Sequence, residues 1–153
     1  MSSATVIRPA APEDADEIAD VHLAARRTAV AAGAMPAGIH PEPEVRAWLA
    51  SRLAVDEVWV AEVGRRVAAY ARFTPTWLDD LYVDPAAQGR GLGSALLEVV
   101  KSLRRDGFGL WVFESNLPAR EFYASHGLVE TERTDGSGNE ERAPDIRMEW
   151  RPA

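Results

Sequence analysis

Three glycines lie close together in the middle of the chain, where an apolar, strand-like stretch gives way to a helix-like one. Gly89, Gly91 and Gly93 occupy alternate positions in "DLYVDPAAQGRGLGSALLEVV". The first N–H groups of a helix have no partner within the helix and carry the positive end of its dipole, so an anion is stabilised there. Glycine lets the backbone approach such an anion closely and adopt positive φ values. The pattern therefore predicts a phosphate-binding helix N-terminus, with Ser94 and Arg90 as additional donors.

Two common phosphate-binding patterns do not fit this stretch. The pattern G-x-x-x-x-G-K-S/T is absent, because no lysine follows the glycines. The dinucleotide pattern G-x-G-x-x-G fails at its third position, which is Ser94 counted from Gly89 and Leu96 counted from Gly91. A dinucleotide-binding oxidoreductase is therefore a weak alternative, although Glu114 follows the next strand, where that fold keeps its ribose-binding acid. A chain of 153 residues also leaves little room for a separate substrate domain.

Two adjacent carboxylates, Asp79 and Asp80, precede the glycines in the strand-like stretch "WLDDLYV". Central parallel strands are nearly continuous apolar runs, and buried acids often mark functional sites. The hypothesis is that Asp79 acts as a base, directly or through water. Asp80 is the alternative base, or a binder of a cationic substrate, and Glu114 is the third candidate. If the strand begins only at Leu81, the two aspartates instead form a solvated turn. Strand alternation places Trp77, Asp79, Leu81 and Val83 on one face, and Leu78, Asp80 and Tyr82 on the other.

Two motifs, in this order, resemble those of a known family. Residues 88–93, "QGRGLG", resemble the Q/R-x-x-G-x-G/A signature of the GNAT N-acetyltransferase superfamily. Downstream, "ESNLPAREFYASHGLVE" is similar to the N-x-x-A-x-x-F-Y-x-x-x-G-F segment of that family, with Leu128 in place of the usual phenylalanine. The order of predicted elements fits the family over nearly the whole chain. The resemblance implies binding of acetyl-CoA as a co-substrate and transfer of its acetyl group to an amine.

The resemblance also implies roles for individual residues. Tyr123 would be the general acid that protonates the departing thiolate, although an aromatic residue in such a helix often only packs. Asn116 would contact pantetheine and would also suit a helix N-cap. The implied coenzyme-binding residues are Leu81, Tyr82 and Val83 for the pantetheine arm, Gln88, Gly89, Arg90, Gly91, Gly93 and Ser94 for the pyrophosphate, and Asn116, Ala119, Phe122 and Tyr123 along the groove. A non-catalytic acyl-CoA-binding regulatory module is the main alternative, and Tyr123 and the aspartate pair argue against it.

The elements that must position these residues form one mixed α/β domain spanning residues 1–153. Hydrophobic patterning and turn signals predict the order β-α-α-β-β-β-α-β-α-β-β, with a hairpin turn at Gly64 and Arg65. The strands on either side of the glycine-led helix should be parallel, since a strand–helix–strand crossover requires it. We therefore expect a GNAT-like α+β domain, with a mixed, mostly antiparallel sheet whose parallel pair is splayed around the coenzyme site.

The composition of the chain disfavours several kinds of partner and several kinds of chemistry. A net charge of −7 disfavours nucleic acid, and no apolar run approaches the ~18 residues of a membrane helix. The chain has no cysteine, the common acyl-carrying nucleophile, so we expect direct transfer in a ternary complex. The lack of cysteine and of a signal-peptide pattern predicts a cytoplasmic location. His22, His40 and His126 lack metal-ligand spacing; we expect no metal, and interpret them as helix-packing, loop and helix-terminal residues.

The acceptor is expected to be a primary amine of a small molecule, a protein or a peptide. Irregular segments commonly carry specificity, so the acceptor should contact the loop 31–43, the aspartate pair and the loop 135–145. The two aspartates favour a cationic amine. A homodimer formed by edge-strand pairing at residues 146–150 is also considered.

Overall fold

The computed structural model describes residues 4–153, so residues 1–3 of the expected domain lie outside the described residues. The order of elements is the predicted one. The strands are β1 (Thr5–Pro9), β2 (Glu57–Val63), β3 (Arg66–Phe73), β4 (Leu78–Val83), β5 (Phe108–Phe113), β6 (Val129–Thr134) and β7 (Asp145–Trp150). The helices are α1 (Ala15–Ala31), α2 (Glu42–Arg52), α3 (Leu92–Leu103) and α4 (Leu117–Ser125), with short 3₁₀ turns at Pro12–Asp14 and Pro85–Ala87.

The strands form two antiparallel groups that touch at one point. The first group has the order β1-β2-β3-β4 and the second the order β5-β7-β6. Between the groups, Trp77 and Gly109 form a single parallel bridge, and the Gly109 N–H donates to the Thr76 carbonyl oxygen at 2.9 Å. A Cβ at Gly109 would lie 2.9 Å from the Trp77 ring, so only glycine allows this close approach. The expected mostly antiparallel sheet with a splayed parallel pair is confirmed.

Strand β7 is not an edge strand. It pairs with β5 on one side and with β6 on the other, which uses both of its hydrogen-bonding edges. The expectation that residues 146–150 offer a free edge to a second copy is therefore wrong. Within residues 4–153, the outer strands are β1 and β4 in the first group and β5 and β6 in the second.

Strand β3 lies inside the first sheet, and its sequence explains this position. After Arg66, every residue of "RVAAYARF" is buried. Because successive side chains point to opposite faces, one face packs against the apolar side of α3. On the other face, Tyr70 packs with Ile18 and Val21 of α1. Arg72 is the one charged residue in the buried part of β3 and requires a partner.

Strand β4 contains a β-bulge at Asp79. Arg72 pairs with Asp80, but the next residue of β3, Phe73, pairs with Leu78, so Asp79 is an extra residue in β4. A bulge of this kind reverses the side-chain alternation beyond it. Leu78 packs into the main core, whereas Asp80 lies among polar groups on the opposite face. The expected grouping of Leu78 with Asp80 on one face is therefore wrong.

Candidate active site

A first cavity of about 450 Å³ opens where β4 and β5 diverge, between the C-terminal end of β4, the N-terminus of α3 and helix α4. The predicted coenzyme residues converge here, with the exception of Arg90, which is exposed on the loop. The lining residues from the predicted set are Leu81, Tyr82, Val83, Gln88, Gly89, Gly91, Gly93, Ser94, Asn116, Ala119, Phe122 and Tyr123. Helix α1 closes one side of the cavity with Ala25 and Ala29.

The glycine loop has the conformation that its sequence requires. Gly89 and Gly91 have φ values of 82° and 75°, which side chains rarely adopt, and Gly91 is the residue that precedes α3. A Cβ at either position would meet nothing within 4 Å, so both face open space. At Gly93, a Cβ would lie 3.4 Å from the Phe122 ring, which brings α3 close to α4. The loop therefore leaves the first N–H groups of α3 accessible to an anion.

Helix α4 presents two polar groups beside this loop. The Asn116 side chain accepts a hydrogen bond from the Ala119 N–H at 3.3 Å, so the N-cap role is confirmed and its amide NH₂ remains for other contacts. The Ser94 hydroxyl lies 2.9 Å from His126 Nε2, and His126 Nδ1 lies 2.8 Å from the Phe122 carbonyl oxygen. Because Nδ1 must donate to that carbonyl, a neutral His126 accepts from Ser94. This contact was not predicted from the sequence.

Tyr123 faces the first cavity from α4 and is half-buried. Among residues 4–153, no hydrogen bond to its hydroxyl is found. Burial raises the pKa of Tyr123 above its usual value of 10, and the nearby Tyr82 and Asp80 raise it further. The phenol therefore keeps its proton and remains a hydrogen-bond donor.

A second cavity of about 620 Å³ lies beside the first, on the other side of Tyr82. The three segments that were predicted to contact an acceptor all contribute to it. Its lining residues are His22, Arg26, Gly38, Ile39, His40, Glu44, Val45, Trp48, Asp80, Glu140 and Glu141. His40 lies between Glu44 and Glu140, with nitrogen–oxygen distances of 3.4 and 3.1 Å, and these carboxylates raise the pKa of the exposed imidazole. His40 thus links the segments 31–43 and 135–145 across the rim.

Asp80 belongs to a buried polar network beneath the second cavity. Arg72 Nε donates to Asp80 Oδ2 at 2.8 Å, and Arg72 NH1 donates to Asp56 Oδ2 at 2.7 Å. The Tyr70 hydroxyl also donates to Asp80 Oδ2, at 3.0 Å. The Trp48 ring covers the guanidinium of Arg72 at 4.6 Å. The sequence signal for this network was the single arginine in an apolar strand, opposite an acid in the next strand.

The other two acids of the sequence-based hypothesis lie outside both cavities. Asp79 lies at the bulge, where the residue as a whole is exposed and lines neither cavity. Desolvation of its carboxyl group raises the pKa of Asp79. The positive charge of Arg72 opposes this rise, and the negative charge of Asp80 adds to it. Glu114 is exposed after β5, where its N–H donates to the Pro144 carbonyl oxygen. Within residues 4–153, no group of three or more acids or histidines is arranged to hold a metal ion. In the same part of the chain, no helix has the length and apolar character needed to cross a bilayer.

Comparison with known proteins identifies the family to which this geometry belongs. The family described as "Acetyltransferase (GNAT) domain" matches residues 54–130, which is half of the chain and includes β4, the glycine loop and α4. The chain belongs to this family. An uncharacterized N-acetyltransferase from Archaeoglobus fulgidus is 33% identical over 108 residues, which is 61% of this chain and 72% of the relative. This GNAT chain is thus of the N-acetyltransferase class, and the family resemblance is confirmed.

Solved structures support the same fold over nearly the whole length. A GCN5-related N-acetyltransferase from Rhodopseudomonas palustris superposes with a TM-score of 0.80 at 23% identity, covering 99% of this GNAT chain and 98% of that one. The structure of YncA from Salmonella typhimurium with its cofactor acetyl-CoA gives a TM-score of 0.73 at 24% identity, covering 97% and 94%. At these identities the likeness establishes the fold.

Proposed function

We propose that this GNAT chain transfers the acetyl group of acetyl-CoA to a primary amine by direct attack in a ternary complex. The observation that carries the proposal is the pair of adjacent cavities along β4. One is built around a glycine loop at a helix N-terminus, and the other is rimmed by carboxylates. Tyr82 lies between them: it lines the first cavity and contacts His22 and Arg26 of the second.

The first cavity fits the coenzyme because its donors match an extended, phosphate-bearing ligand. The free N–H groups at the start of α3 and the open space beside Gly89 and Gly91 suit a pyrophosphate. The edge of β4 that faces β5 is unpaired beyond the bridge at Trp77, and its free backbone groups suit the pantetheine amides. YncA, a solved structure of the same fold, carries acetyl-CoA as its cofactor. Acetyl-CoA is therefore the proposed donor, with Arg90 at the cavity mouth as a further phosphate ligand.

The proposed reaction follows from the groups around these cavities. The amine nitrogen attacks the thioester carbonyl carbon, a carbon–nitrogen bond forms and the carbon–sulfur bond breaks. Tyr123 gives its hydroxyl proton to the departing thiolate and regains one from solvent. The amine must also lose a proton to a base. Asp79 is the base predicted from the sequence, but it lies outside both cavities, and the Asp80 oxygen that faces Tyr70 already accepts two hydrogen bonds.

Titration of the protein with acetyl-CoA, with NAD as the control ligand, tests the donor assignment. We expect acetyl-CoA to bind and NAD not to bind. Thiol release in the presence of a panel of amines then tests catalysis. Binding without thiol release for any amine would support a regulatory acyl-CoA-binding module instead, and binding of NAD alone would support the oxidoreductase.

Replacing Gly91 with valine is expected to weaken acetyl-CoA binding by about tenfold or more. A β-branched residue at a φ of 75° is strained by at least about 1–2 kcal/mol, and its side chain enters the cradle. A tenfold change in Kd corresponds to about 1.4 kcal/mol. The matched control is Gly138→Val, because Gly138 has no positive φ and a Cβ there meets nothing within 4 Å. Equal Kd values for the two variants, measured by titration, would contradict the proposed cradle.

The second cavity supports a cationic acceptor. Four carboxylates line it, from Asp80, Glu44, Glu140 and Glu141, against one permanently charged cation, Arg26. Glu141 has no ion pair among residues 4–153, so its carboxylate is available to a ligand. The exposed Trp48 ring adds an aromatic surface for a cation or its alkyl chain. The proposed acceptor class is an amine that carries a second positive charge.

Glu141→Gln is expected to raise the KM for a diamine by about three- to tenfold with little change in kcat. Loss of one charge contact of about 1 kcal/mol made equally in the ground state and transition state has this effect. Glu132→Gln, on the exposed face of β6, is the matched control and should leave KM unchanged. Steady-state kinetics with a diamine and with a neutral monoamine analogue measure the effect. An unchanged diamine KM in Glu141→Gln would contradict the acceptor assignment.

A further inference from the structure

His22 lies on α1, where its side chain is buried and also borders the second cavity. Only 8% of the residue is exposed. His22 and Arg26 are four residues apart, so they share one face of α1. That face also carries Ala25 and Ala29, which line the first cavity. The helix thus places an imidazole at the boundary of the two proposed ligand sites.

Only one assignment of donors and acceptors fits the hydrogen bonds between His22, Tyr70 and Asp80. Tyr70 has a single hydroxyl proton, and its oxygen lies 3.0 Å from Asp80 Oδ2 and 2.8 Å from His22 Nδ1. Two oxygens at 3.0 Å require a hydrogen between them, and a carboxylate has none to give, so Tyr70 donates to Asp80. The Tyr70 oxygen then accepts from His22, which places the imidazole hydrogen on Nδ1.

This tautomer leaves His22 Nε2 with a free lone pair. Among residues 4–153, Nδ1 is the His22 ring nitrogen that makes a hydrogen bond, and none is found for Nε2. Burial lowers the pKa of His22 from 6.5; Asp80 opposes this shift, and Arg26 and Arg72 add to it. A lowered pKa keeps the imidazole neutral down to a lower pH, so Nε2 is an unprotonated base near pH 7.

We propose that His22 Nε2 is the proton acceptor for the attacking amine, an inference that rests on the acetyl transfer proposed above. Nε2 takes one proton from the ammonium form of the amine, and the freed lone pair attacks the thioester carbonyl carbon to form the carbon–nitrogen bond. The carbon–sulfur bond breaks, the thiolate takes the Tyr123 proton, and the nitrogen of the new amide releases its second excess proton to solvent. The resulting imidazolium is stabilised through Tyr70 by the Asp80 carboxylate and later releases its proton to solvent through the second cavity.

This assignment gives Asp80 a role that matches its contacts. Its Oδ2 accepts from Arg72 and Tyr70, so it orients and stabilises rather than abstracts a proton. Asp80 and Tyr70 are thus positioning residues for His22. The charged groups that affect the His22 ring are Arg26 on α1, Arg72 on β3 and Asp80 on β4. The rings of Tyr70 on β3 and Tyr82 on β4 pack against it. The other titratable groups of the same cavity are His40, Glu44, Glu140 and Glu141 on the rim.

The decisive experiment is the pH dependence of kcat at saturating amine. In the wild type, kcat should fall on the acid side, with an inflection below 6.5, as His22 becomes protonated. His22→Asn keeps a donor near the Nδ1 position for Tyr70 but has no base at Nε2. We expect kcat at pH 7 to fall by about 10²-fold or more, the acid limb to disappear, and activity to recover partly at high pH, where the amine deprotonates by itself. The Kd for acetyl-CoA should stay close to that of the wild type.

Three further variants separate the alternatives. His40→Asn removes the other histidine of the second cavity and should keep the acid limb, and so should Asp79→Asn. Tyr70→Phe removes the link to Asp80 and should shift the limb to lower pH, because the imidazolium loses stabilisation. This shift also tests the proposal if His22→Asn fails to fold. Loss of the limb in His40→Asn or Asp79→Asn, or its retention in His22→Asn, overturns the role of His22 alone. A wild type without amine-dependent thiol release overturns the acetyl transfer as well.

Discussion

Replacing Tyr123 with phenylalanine is expected to lower kcat for acetyl transfer by about 10²-fold while leaving the Kd for acetyl-CoA within about twofold. The variant loses one oxygen atom and keeps the ring that lines the first cavity and packs on Phe122. Because no hydrogen bond to the hydroxyl is found among residues 4–153, no intramolecular contact is lost. The effect should therefore appear in the chemical step, as expected for a group that acts only when the thiolate departs.

The pH profile provides the control for this prediction. Burial raises the pKa of Tyr123, so the phenol holds its proton through neutral pH and contributes no limb between pH 5 and 8. Tyr123→Phe should therefore lower kcat by the same factor at every pH in that range. The melting temperature and the titration with acetyl-CoA report whether fold and binding are intact. A kcat equal to that of the wild type, with normal binding, would leave Tyr123 as a packing residue.

The local sequence was sufficient to predict the strands and helices around the first cavity. Strands β2 and β3 lie at the predicted residues because an apolar run on each side of Gly64 and Arg65 allows one hairpin register. Both turn residues have positive φ, as a two-residue hairpin turn requires. The start of α3 was equally predictable, since alternating glycines directly before an amphipathic run mark the boundary between a loop and a helix. The residues that the family resemblance implies for coenzyme binding, other than Arg90, then line the first cavity.

The polar groups proposed for acid–base chemistry could not all be predicted in the same way. Strand alternation assumes one residue per pairing step, and the extra residue at Asp79 breaks that assumption without a glycine or proline to signal it. The hydrogen-bonded chain from His22 through Tyr70 to Asp80 joins three elements, and its first two members are 48 positions apart in the sequence. The sequence alone suggests helix packing for His22, because a histidine on an apolar helix face looks the same whether or not a tyrosine hydroxyl lies opposite. Tertiary pairing determines this part of the site.

Replacing Arg72 with methionine is expected to lower the free energy of unfolding by about 3–5 kcal/mol. Arg72 is 7% exposed and forms hydrogen-bonded ion pairs with Asp56 and Asp80, whose side chains are 3% and 9% exposed. Methionine retains most of the alkyl volume beside Trp48, so the variant tests the charge rather than a cavity. The cost arises because removing one member leaves buried carboxylates without their common cation. Chemical denaturation at pH 7 measures it.

The same substitution at Arg46 is the matched control, because its pair with Asp20 is exposed at 35% and 52% of the two side chains. We expect Arg46→Met to cost less than about 1 kcal/mol.

Acid pH separates the buried network from general effects. Hydrogen bonds from Arg52 and Arg72 lower the pKa of Asp56 below 3.8, so the stabilisation they give is present above that pH and is lost as the pH falls further. The difference between the wild type and Arg72→Met should therefore shrink below about pH 3.8, whereas an unchanged difference would place the cost in lost packing against Trp48.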